Sequence, residues 1–316
     1  MLVVTSCKVK TKIKEDMEKK FPNVSFQWKE SIQEAEPVLK EADVLITYGE
    51  DLLAEHLEPA DNLKWIMVIS AGLDEMPFEK IDEKGIQVTN ARGIHAIPMS
   101  EYAISMILQE SRKAKDLHEL EKAHSWDKRV KMEEITGKTM LVVGTGAIGQ
   151  EVARLAKAFR MKTIGVSHSG RSKDHFDECA KNDRLHDYLK EADFVVAVLP
   201  HTNDTDEFFG KEEFSAMKKD AIFLNMGRGK TVDQGTMIQA LKDQQLGHAV
   251  LDVVEEEPLD SASPLWDLEN CTITPHLSGI SRLYQERAFE IFEENLKDFE
   301  ADKPLSVNVI DPKRGY

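Results

Sequence analysis

Three stretches in the second half of the chain carry the side chain types that carbonyl reduction requires. They read "NMGRGKTVD" (225–233), "HAVLDVVEEEPL" (248–259) and "TPHLSG" (274–279). Hydride transfer to a carbonyl needs a proton donor for the oxygen, a positive group that holds an acidic substrate, and a group that keeps the donor protonated. A histidine, an arginine and a carboxylate meet these needs, because a neighbouring carboxylate favours the protonated imidazole. The three stretches together therefore indicate reduction of a carbonyl.

Each of these stretches ends a short apolar run, and such runs alternate with longer amphipathic segments along the chain. This alternation is typical of βαβ units, in which a parallel sheet is covered by helices and ligands bind at the carboxyl ends of the strands. The strands predicted for a first sheet are 1–6, 25–29, 43–49, 64–70 and 85–90, and those for a second, larger sheet are 138–144, 162–167, 193–200, 221–226, 248–254 and 271–275. The sequence therefore predicts an α/β fold with two doubly wound parallel sheets.

Two long helical segments lie at the joins between the predicted domains. A chain of 316 residues is too long for one core of the usual size, so two domains are expected. Residues 98–124 contain no Pro or Gly after Pro98 and predict one long bridging helix. The segment 281–304 predicts a helix that crosses back so that "PLSVNVID" closes the first domain, with an apolar stripe of Leu283, Ala288, Ile291, Phe292 and Leu296.

The stretch "VVGTGAIG" has the features of a pyrophosphate-binding loop. Gly144, Gly146 and Gly149 have the GxGxxG spacing directly after a predicted strand and before a helical segment. In such loops the first glycine permits the tight turn, the second lets backbone approach the pyrophosphate, and the third allows close packing of helix on strand. A plain glycine-rich turn would read the same, but the strand before and the helix after favour dinucleotide binding.

The following strand ends without the acidic residue that an NAD site usually has. That position falls on Ser167, which carries no charge to repel a 2′-phosphate. His168, Ser169 and Arg171 can donate hydrogen bonds to such a phosphate, and arginine suits its geometry. The sequence therefore favours NADP (NADPH) over NAD, although Arg171 and Lys173 could also simply solvate a loop.

Composition excludes several classes of protein. The chain has 41 Lys and Arg against 57 Asp and Glu, a net charge of -16, so binding of nucleic acid through a broad basic face is not expected. Cys7, Cys179 and Cys271 show no disulfide or zinc-binding spacing, and no metal site is predicted. No apolar stretch approaches the ~20 residues of a membrane span and no export signal precedes the first strand, so a cytoplasmic protein is expected.

These motifs resemble those of the D-isomer-specific 2-hydroxyacid dehydrogenases, in their order and over nearly the whole chain. The resemblance rests on "GTGAIG", "NMGRGKTVD", "LDVVEEEPL" and "TPHLSG", with "SAGLDEMP" and "GIQVTNARGIHAIPMSEYA" before them. It implies a flavodoxin-like substrate domain (1–97 and 284–316), a Rossmann cofactor domain (98–283) and a homodimer. It also implies reduction of a small 2-oxo acid, such as glyoxylate or hydroxypyruvate, to the D-2-hydroxy acid.

The resemblance also implies roles for single residues. Arg228 would bind the substrate carboxylate and polarise the carbonyl, Glu257 would hydrogen-bond the imidazole, and His276 would donate the proton. The cofactor would contact the amides of Ala147 and Ile148, Pro200 in the "LPHT" turn, and Asp252 near the nicotinamide carboxamide. The substrate carboxylate would meet the amides of Ala71, Gly72 and Leu73, which could equally form a plain strand-to-helix turn.

Some features leave alternatives open. Arg282 stands where some glyoxylate and hydroxypyruvate reductases of this family carry an arginine, but it could equally form an interdomain salt bridge. His201 follows Pro200 and receives no catalytic role, and Trp126 could lie near the active site of a dimer or pack in a core. The competing functions are 3-phosphoglycerate dehydrogenase and a non-catalytic NAD(P)-sensing protein; the latter is disfavoured because Arg228, Glu257 and His276 are all present.

Overall fold

The computed structural model describes residues 1–70, 72–73 and 75–312, which form two compact units. The first unit combines Met1–Ile94 with Ser281–Tyr316, and the second consists of His95–Ile280. The first unit is thus built from two segments that are far apart in the sequence, and the second from one continuous segment. Each unit is organised around its own sheet.

The sheet of the first unit has the strand order of flavodoxin-like folds. Its strands are β1 (Leu2–Ser6), β2 (Ser25–Lys29), β3 (Val44–Thr47), β4 (Trp65–Val68), β5 (Gln87–Asn90) and β13 (Val309–Ile310). They are arranged β13-β5-β4-β3-β1-β2, and all neighbours are parallel except β13, which runs antiparallel to β5. The order 2-1-3-4-5 of the parallel strands is that of a doubly wound sheet with a reversal between β1 and β3. The pairing of β13 with β5 confirms the predicted role of "PLSVNVID".

Helices cover this sheet and bury apolar side chains against it. They are α1 (Thr11–Lys20), α2 (Ile32–Leu39), α3 (Ala54–Leu57), α4 (Phe78–Lys84) and α11 (Tyr284–Glu300). Every residue of β4 is buried, as expected of a central parallel strand. Trp65 from β4 stacks on Phe292 from α11 with ring centroids 5.1 Å apart, so the late helix is an integral part of the core.

The sheet of the second unit has the Rossmann order with one added strand. Its strands are β6 (Thr139–Val143), β7 (Lys162–Val166), β8 (Glu178–Ala180), β9 (Phe194–Ala197), β10 (Ile222–Asn225), β11 (His248–Leu251) and β12 (Cys271–Ile273). They are arranged β12-β11-β10-β9-β6-β7-β8 and every neighbouring pair is parallel. Counted from β6 this is 3-2-1-4-5-6-7, so the chain reverses direction across the sheet between β6 and β9, where nucleotides bind in such folds. The predicted fold class is confirmed.

The second unit buries apolar clusters on both faces of its sheet. Its helices are α5 (Ala96–Ser111), α6 (Ala114–Lys122), α7 (Ala147–Ala158), α8 (Leu185–Leu189), α9 (Lys211–Ala216) and α10 (Gln234–Lys242). The side chains of α7 that face the sheet are small, so the helix lies close to the strands that precede and follow it. Within the described ranges no helix is long and apolar enough to cross a membrane.

The prediction of one continuous helix over 98–124 is wrong. The helix ends at Ser111, and Lys113 adopts a left-handed backbone conformation with φ 55° before α6 begins. The turn lets Nζ of Lys115 donate to Oγ1 of Thr272 at 2.7 Å, the same hydroxyl that donates to Glu110 from α5 at 2.8 Å. These tertiary hydrogen bonds, together with the absence of buried side chains in α6, explain why sequence periodicity did not indicate the break.

The predicted apolar stripe of the last helix is partly wrong. Ala288, Phe292 and Leu296 are buried as expected, but Leu283 precedes the first turn and is 52% exposed. Phe289 and Asn295 are buried instead, because Asn295 uses its amide to bind the backbone of the returning segment at Ser306 and Val307. The three cysteines are free thiols, as predicted.

Candidate active site

The predicted catalytic residues follow three neighbouring strands of the second unit. Arg228 comes after β10, Glu257 after β11 and His276 after β12, and these strands are adjacent in the sheet. Because carboxyl ends of parallel strands meet at one edge, the arrangement gathers a guanidinium, a carboxylate and an imidazole at that edge. All three side chains are exposed there.

Glu257 and His276 form a hydrogen-bonded pair. Nδ1 of His276 lies 2.8 Å from Oε2 of Glu257. An ionised carboxylate can only accept, so Nδ1 carries the hydrogen and Nε2 is the ring nitrogen that faces other partners. The second carboxylate oxygen accepts from the amide of Val254 at 3.3 Å, which holds Glu257 from its other side. Since the imidazole is 52% exposed, it remains accessible to a substrate.

A network of local hydrogen bonds fixes the backbone around Arg228. The backbone carbonyl of Arg228 accepts from Nδ2 of the Asn225 side chain at 3.1 Å and from the hydroxyl of Thr231 at 2.7 Å. The next residue, Gly229, lies so close to the β11 loop that a Cβ there would be 1.8 Å from the carbonyl oxygen of Val254. Backbone contact thus ties the Arg228 loop to the loop that carries Glu257. In the described part of the chain the Arg228 guanidinium pairs with no carboxylate, and Nη1 donates only to the carbonyl of Gly227 at 2.9 Å.

Asp252 is buried beneath the histidine and organises its turn. Its carboxylate accepts hydrogen bonds from Oγ1 of Thr274 at 2.6 Å, from the amide of Leu277 at 2.8 Å and from that of Ser278 at 2.9 Å. The amide of His276 donates to the carbonyl of Asp252 at 2.9 Å. His276 itself has a left-handed backbone with φ 54°, which is costly for a residue with a Cβ. The turn therefore holds the backbone of His276 in a conformation that the free chain would disfavour.

The glycine-rich loop has the shape that a pyrophosphate needs. Gly144 has φ 108°, and a Cβ on Gly149 would lie 2.0 Å from the carbonyl oxygen of Gly144, so neither position accommodates a side chain. In contrast, a Cβ on Gly146 would meet nothing within 4 Å, so the space before α7 is open. Ala147 and Ile148 begin α7, whose first amides have no intrahelical acceptor. An anion fits this end of the helix.

The segment after β7 forms a compact turn rich in donors. The amide of Gly170 donates to the carbonyl of Ser167 at 3.2 Å and to its hydroxyl at 3.3 Å, and the amide of Arg171 donates to Oγ of Ser169 at 3.4 Å. The side chains of His168 and Arg171 are exposed, and neither forms an ion pair within the described residues. The turn therefore presents a guanidinium and an imidazole at the same sheet edge as the glycine loop.

The remaining cofactor-side prediction concerns the turn after β9. Pro200 is exposed there, and its carbonyl accepts from Oγ1 of Thr205 at 2.7 Å. His201 is paired with Asp206 through Nε2 at 2.8 Å. Trp126 is 91% exposed, so it does not pack in the core of this chain.

The predicted substrate-side residues belong to the first unit. Gly72 and Leu73 follow β4, and the carbonyl of Gly72 accepts from Oγ of Ser70 at 3.0 Å. Ala71 lies outside the described residues. Arg282 is exposed just before α11, and its backbone carbonyl accepts from Nζ of Lys10.

His95 is a residue of the catalytic edge that sequence reasoning missed. Its Nδ1 lies 3.4 Å from the carbonyl of Gly279, and a Cβ on that glycine would be 3.0 Å from the same nitrogen. Burial lowers the pKa of His95, and the nearby positive charge of Arg228 acts in the same direction. The imidazole therefore lies against the turn that follows His276, close enough to Arg228 to respond to its charge. Its occurrence in "GIHAIPMSEY" was the available signal. Among the residues described here, no group of three or more His, Cys, Asp or Glu could hold a metal ion.

A Rossmann-order sheet, an open glycine loop, and an arginine with a carboxylate–histidine pair at the same edge define a nucleotide-dependent oxidoreductase. Comparison with known proteins gives the family. The model of the D-isomer specific 2-hydroxyacid dehydrogenase NAD binding domain matches residues 104–278, and the chain belongs to this family. Its members are oxidoreductases that act on CH–OH groups with a nicotinamide cofactor, so the resemblance drawn from the sequence is confirmed.

Individual relatives are similar over most of the chain. A glyoxylate reductase of Pyrococcus horikoshii is 31% identical over 281 residues, which cover 85% of this chain and 84% of that protein. A D-3-phosphoglycerate dehydrogenase of Methanocaldococcus jannaschii is 35% identical over 269 residues, which cover 82% of this chain but 50% of that protein. A solved structure of a D-isomer specific 2-hydroxyacid dehydrogenase family protein from Aeromonas salmonicida has a TM-score of 0.86 and 33% identity, and the match covers 98% of this chain and 99% of that one.

Proposed function

We propose that this protein reduces a small 2-oxo acid, with glyoxylate and hydroxypyruvate as first candidates, to the D-2-hydroxy acid, and that it prefers NADPH. The observation that carries this proposal is the hydrogen bond between Glu257 and His276 at the sheet edge where Arg228 also lies. This constellation supplies both a proton donor and an anion-binding cation. A purely nucleotide-sensing protein would need neither.

Each residue of the constellation has a separate task. Arg228 binds the substrate carboxylate and draws electron density from the carbonyl oxygen. His276 donates a proton to that oxygen through Nε2, and Glu257 fixes the tautomer and stabilises the charged imidazole. Bound NADPH supplies the hydride that reaches the carbonyl carbon. In the first unit, the amides of Ala71, Gly72 and Leu73 receive the substrate carboxylate, and Arg282 adds positive charge on the substrate side.

We assign the cofactor to a domain of residues 98–283 and the substrate to a domain of residues 1–97 and 284–316. These bounds lie three residues from those of the second and first units. Gly144, Gly146, Ala147, Ile148 and Gly149 would hold the pyrophosphate, and Pro200 and Asp252 would contact the nicotinamide side of the cofactor. The 2′-phosphate would be bound by Ser167, His168, Ser169 and Arg171. The serine at position 167, directly after β7, supports NADPH, because an acidic residue at that position would repel the 2′-phosphate.

The choice of substrate is supported by the glyoxylate reductases among the relatives. The similarity to a 3-phosphoglycerate dehydrogenase supports a second candidate reaction, oxidation of 3-phosphoglycerate at C2. The exposed Trp126 and the helix α6, which buries no side chain, support a homodimer in which a second copy covers them.

A panel of substrates tests the proposal directly. Oxidation of NADPH and NADH by the purified protein is followed with glyoxylate, hydroxypyruvate, pyruvate, 2-oxoglutarate and 3-phosphohydroxypyruvate. We expect the highest kcat/KM with glyoxylate or hydroxypyruvate and NADPH, and its loss in His276→Ala and Arg228→Ala. Highest activity with 3-phosphohydroxypyruvate would favour the second candidate. Tight NADPH binding without turnover of any 2-oxo acid would overturn the enzymatic proposal.

A further inference from the structure

The neighbouring strands β7 and β8 bring a second cation to the turn that carries Arg171. The two strands pair in parallel with Val166 opposite Ala180, and the amide of Ser167 continues the ladder by donating to the carbonyl of Ala180 at 3.1 Å. The residue that directly follows β8 is Lys181. Register alone therefore places Lys181 beside the first residue of the donor-rich turn.

Gly170 brings the turn into direct contact with this lysine. It has a left-handed backbone with φ 62°, and a Cβ built on it would lie 2.7 Å from Cγ of Lys181 and 2.9 Å from its backbone nitrogen. Only a residue without a side chain allows this approach. The start of the Lys181 side chain thus packs on the turn between Ser169 and Arg171, and the rest of this long side chain is flexible.

Within the described residues, no ion pair neutralises the charges around the turn. Three neighbouring carboxylates are engaged elsewhere, since Asp177 pairs with Lys157, Glu178 accepts from Tyr188 and Asp187 pairs with Arg184. Asp174 and Asp183 are exposed carboxylates nearby, and they pair with neither cation. In the described residues neither Arg171 nor Lys181 forms an ion pair, although the chain as a whole carries a net charge of -16. Two unpaired cations side by side repel each other, and an anion between them relieves that repulsion.

We propose that Lys181 is a second specificity-determining cation, which binds the 2′-phosphate of NADPH together with Arg171; this inference rests on the NADPH preference proposed above. A phosphate monoester carries a charge of about -1.5 to -2 at neutral pH, more than one cation neutralises. Arg171 offers a planar fork, whereas Lys181 offers a mobile point charge that adapts to the remaining oxygen. NADH lacks the phosphate and gains nothing from Lys181.

Equilibrium titration of nucleotides tests the inference without turnover. The dissociation constants of NADPH, NADH, 2′,5′-ADP and 5′-AMP are measured for the wild type, Arg171→Ala, Lys181→Met and Lys181→Arg. Met keeps the apolar stem that packs on Gly170, and the midpoint of thermal unfolding checks that each variant folds. Lys173→Met is the matched control, because Lys173 is an exposed cation of the same segment.

We expect Lys181→Met to raise the dissociation constants of NADPH and 2′,5′-ADP by about fivefold or more. Those of NADH and 5′-AMP should change less than twofold. Lys181→Arg should retain most of the preference for NADPH over NADH, and Lys173→Met should change the dissociation constant of neither nucleotide. The loss of NADPH affinity in Lys181→Met should shrink as the salt concentration is raised. If Arg171→Ala abolishes the preference for NADPH but Lys181→Met binds NADPH as tightly as the wild type, the role of Lys181 is overturned and the proposed cofactor stands. Equal weakening of NADPH and NADH would also overturn it. Tighter binding of NADH than NADPH by the wild type would instead overturn the cofactor proposal, and Lys181 with it.

Discussion

Nδ1 of His276 and Oε2 of Glu257 are 2.8 Å apart, although 19 residues separate them in the sequence. The pair joins the turn after β12 to the loop after β11 and orients the imidazole so that Nε2 is presented away from the carboxylate. We therefore expect the two residues to act as one unit in proton transfer.

Glu257→Gln should lower kcat by about 100-fold, because the charged imidazole loses its stabilising partner. The dissociation constant of NADPH should stay within twofold of the wild type. Single-turnover rates for Glu257→Gln, His276→Ala and the double variant check the coupling, and the double variant should be no slower than His276→Ala. Fully multiplicative losses would contradict a shared function. Glu255→Gln, a neighbouring exposed carboxylate, is the control and should leave kcat unchanged.

The left-handed backbone of His276 should affect the stability of variants at this position. At φ 54° the Cβ of an alanine is strained, whereas a glycine has no Cβ. The free energy of unfolding of His276→Gly should therefore be about 1 kcal/mol higher than that of His276→Ala. Urea unfolding of both inactive variants measures the difference. Glu212, exposed within α9, provides a control of opposite sign, since glycine there should be less stable than alanine by about 1 kcal/mol. Equal stability of the two His276 variants would argue against a strained turn.

Asp252→Asn should destabilise the second unit by about 1–3 kcal/mol, because the neutral amide offers a single acceptor oxygen where three donors now converge on the carboxylate. The free energy of unfolding in urea checks the change. Asp243→Asn, at the exposed end of α10, should lie within about 0.5 kcal/mol of the wild type. A neutral effect of Asp252→Asn would mean that the His276 turn holds without this carboxylate.

Gly146→Ala and Gly149→Ala should separate cofactor binding from folding. Gly146→Ala adds a methyl group to open space, so it should leave the free energy of unfolding unchanged. The same methyl group occupies space assigned to the pyrophosphate, so it should weaken the binding of NADPH and NADH alike. The second forces a methyl group against the carbonyl of Gly144 and should cost about 1–3 kcal/mol or more of stability. Thermal unfolding without nucleotide, followed by nucleotide titration, distinguishes the two effects. A stable Gly149→Ala protein would contradict the close approach of α7 to the loop.

Glu110 should make the stability of the second unit depend on pH. Burial alone would raise the pKa of its carboxyl, but the hydrogen bond and charge of His248, the hydroxyl of Thr272 and the charge of Lys115 outweigh burial and lower it. A carboxyl with a lowered pKa in the folded state stabilises the fold above its ordinary pKa and loses this contribution as the pH falls through the folded value. The stability difference between wild type and Glu110→Gln should thus be largest near pH 7 and shrink below about pH 4. A difference that is constant from pH 7 to pH 3.5 would refute the ionised pair.

The sequence was informative wherever a local pattern determines structure. The glycine spacing at Gly144 to Gly149 and the apolar runs before Arg228 and His276 depend on near neighbours, so the strands and the loop could be predicted. β8 could not, because its three residues, Glu178–Ala180, are too short for an alternating pattern. Without that strand, Lys181 had no predicted place at the nucleotide end of the sheet.

Tertiary hydrogen bonds account for the other omissions. The break at Lys113 depends on Thr272, far away in sequence, and no periodicity within 98–124 reveals it. In the same way, the support that Asp252 gives to Leu277 and Ser278 arises from the proximity of two strand ends. Residue types in the motifs predicted the candidate reacting groups, whereas the groups that position them became apparent only in the fold.

The antiparallel pairing of β13 with β5 also sets an order of events on the ribosome. Thr89 and its partner Val309 are separated by the entire second unit, which at ~5–20 residues per second amounts to ~10–40 s of synthesis. During that interval the outer edge of β5 and the face that later receives Phe292 lack these partners, and the second unit is completed before β13 is made. The second unit can therefore fold before the segment that completes the first unit has been synthesised.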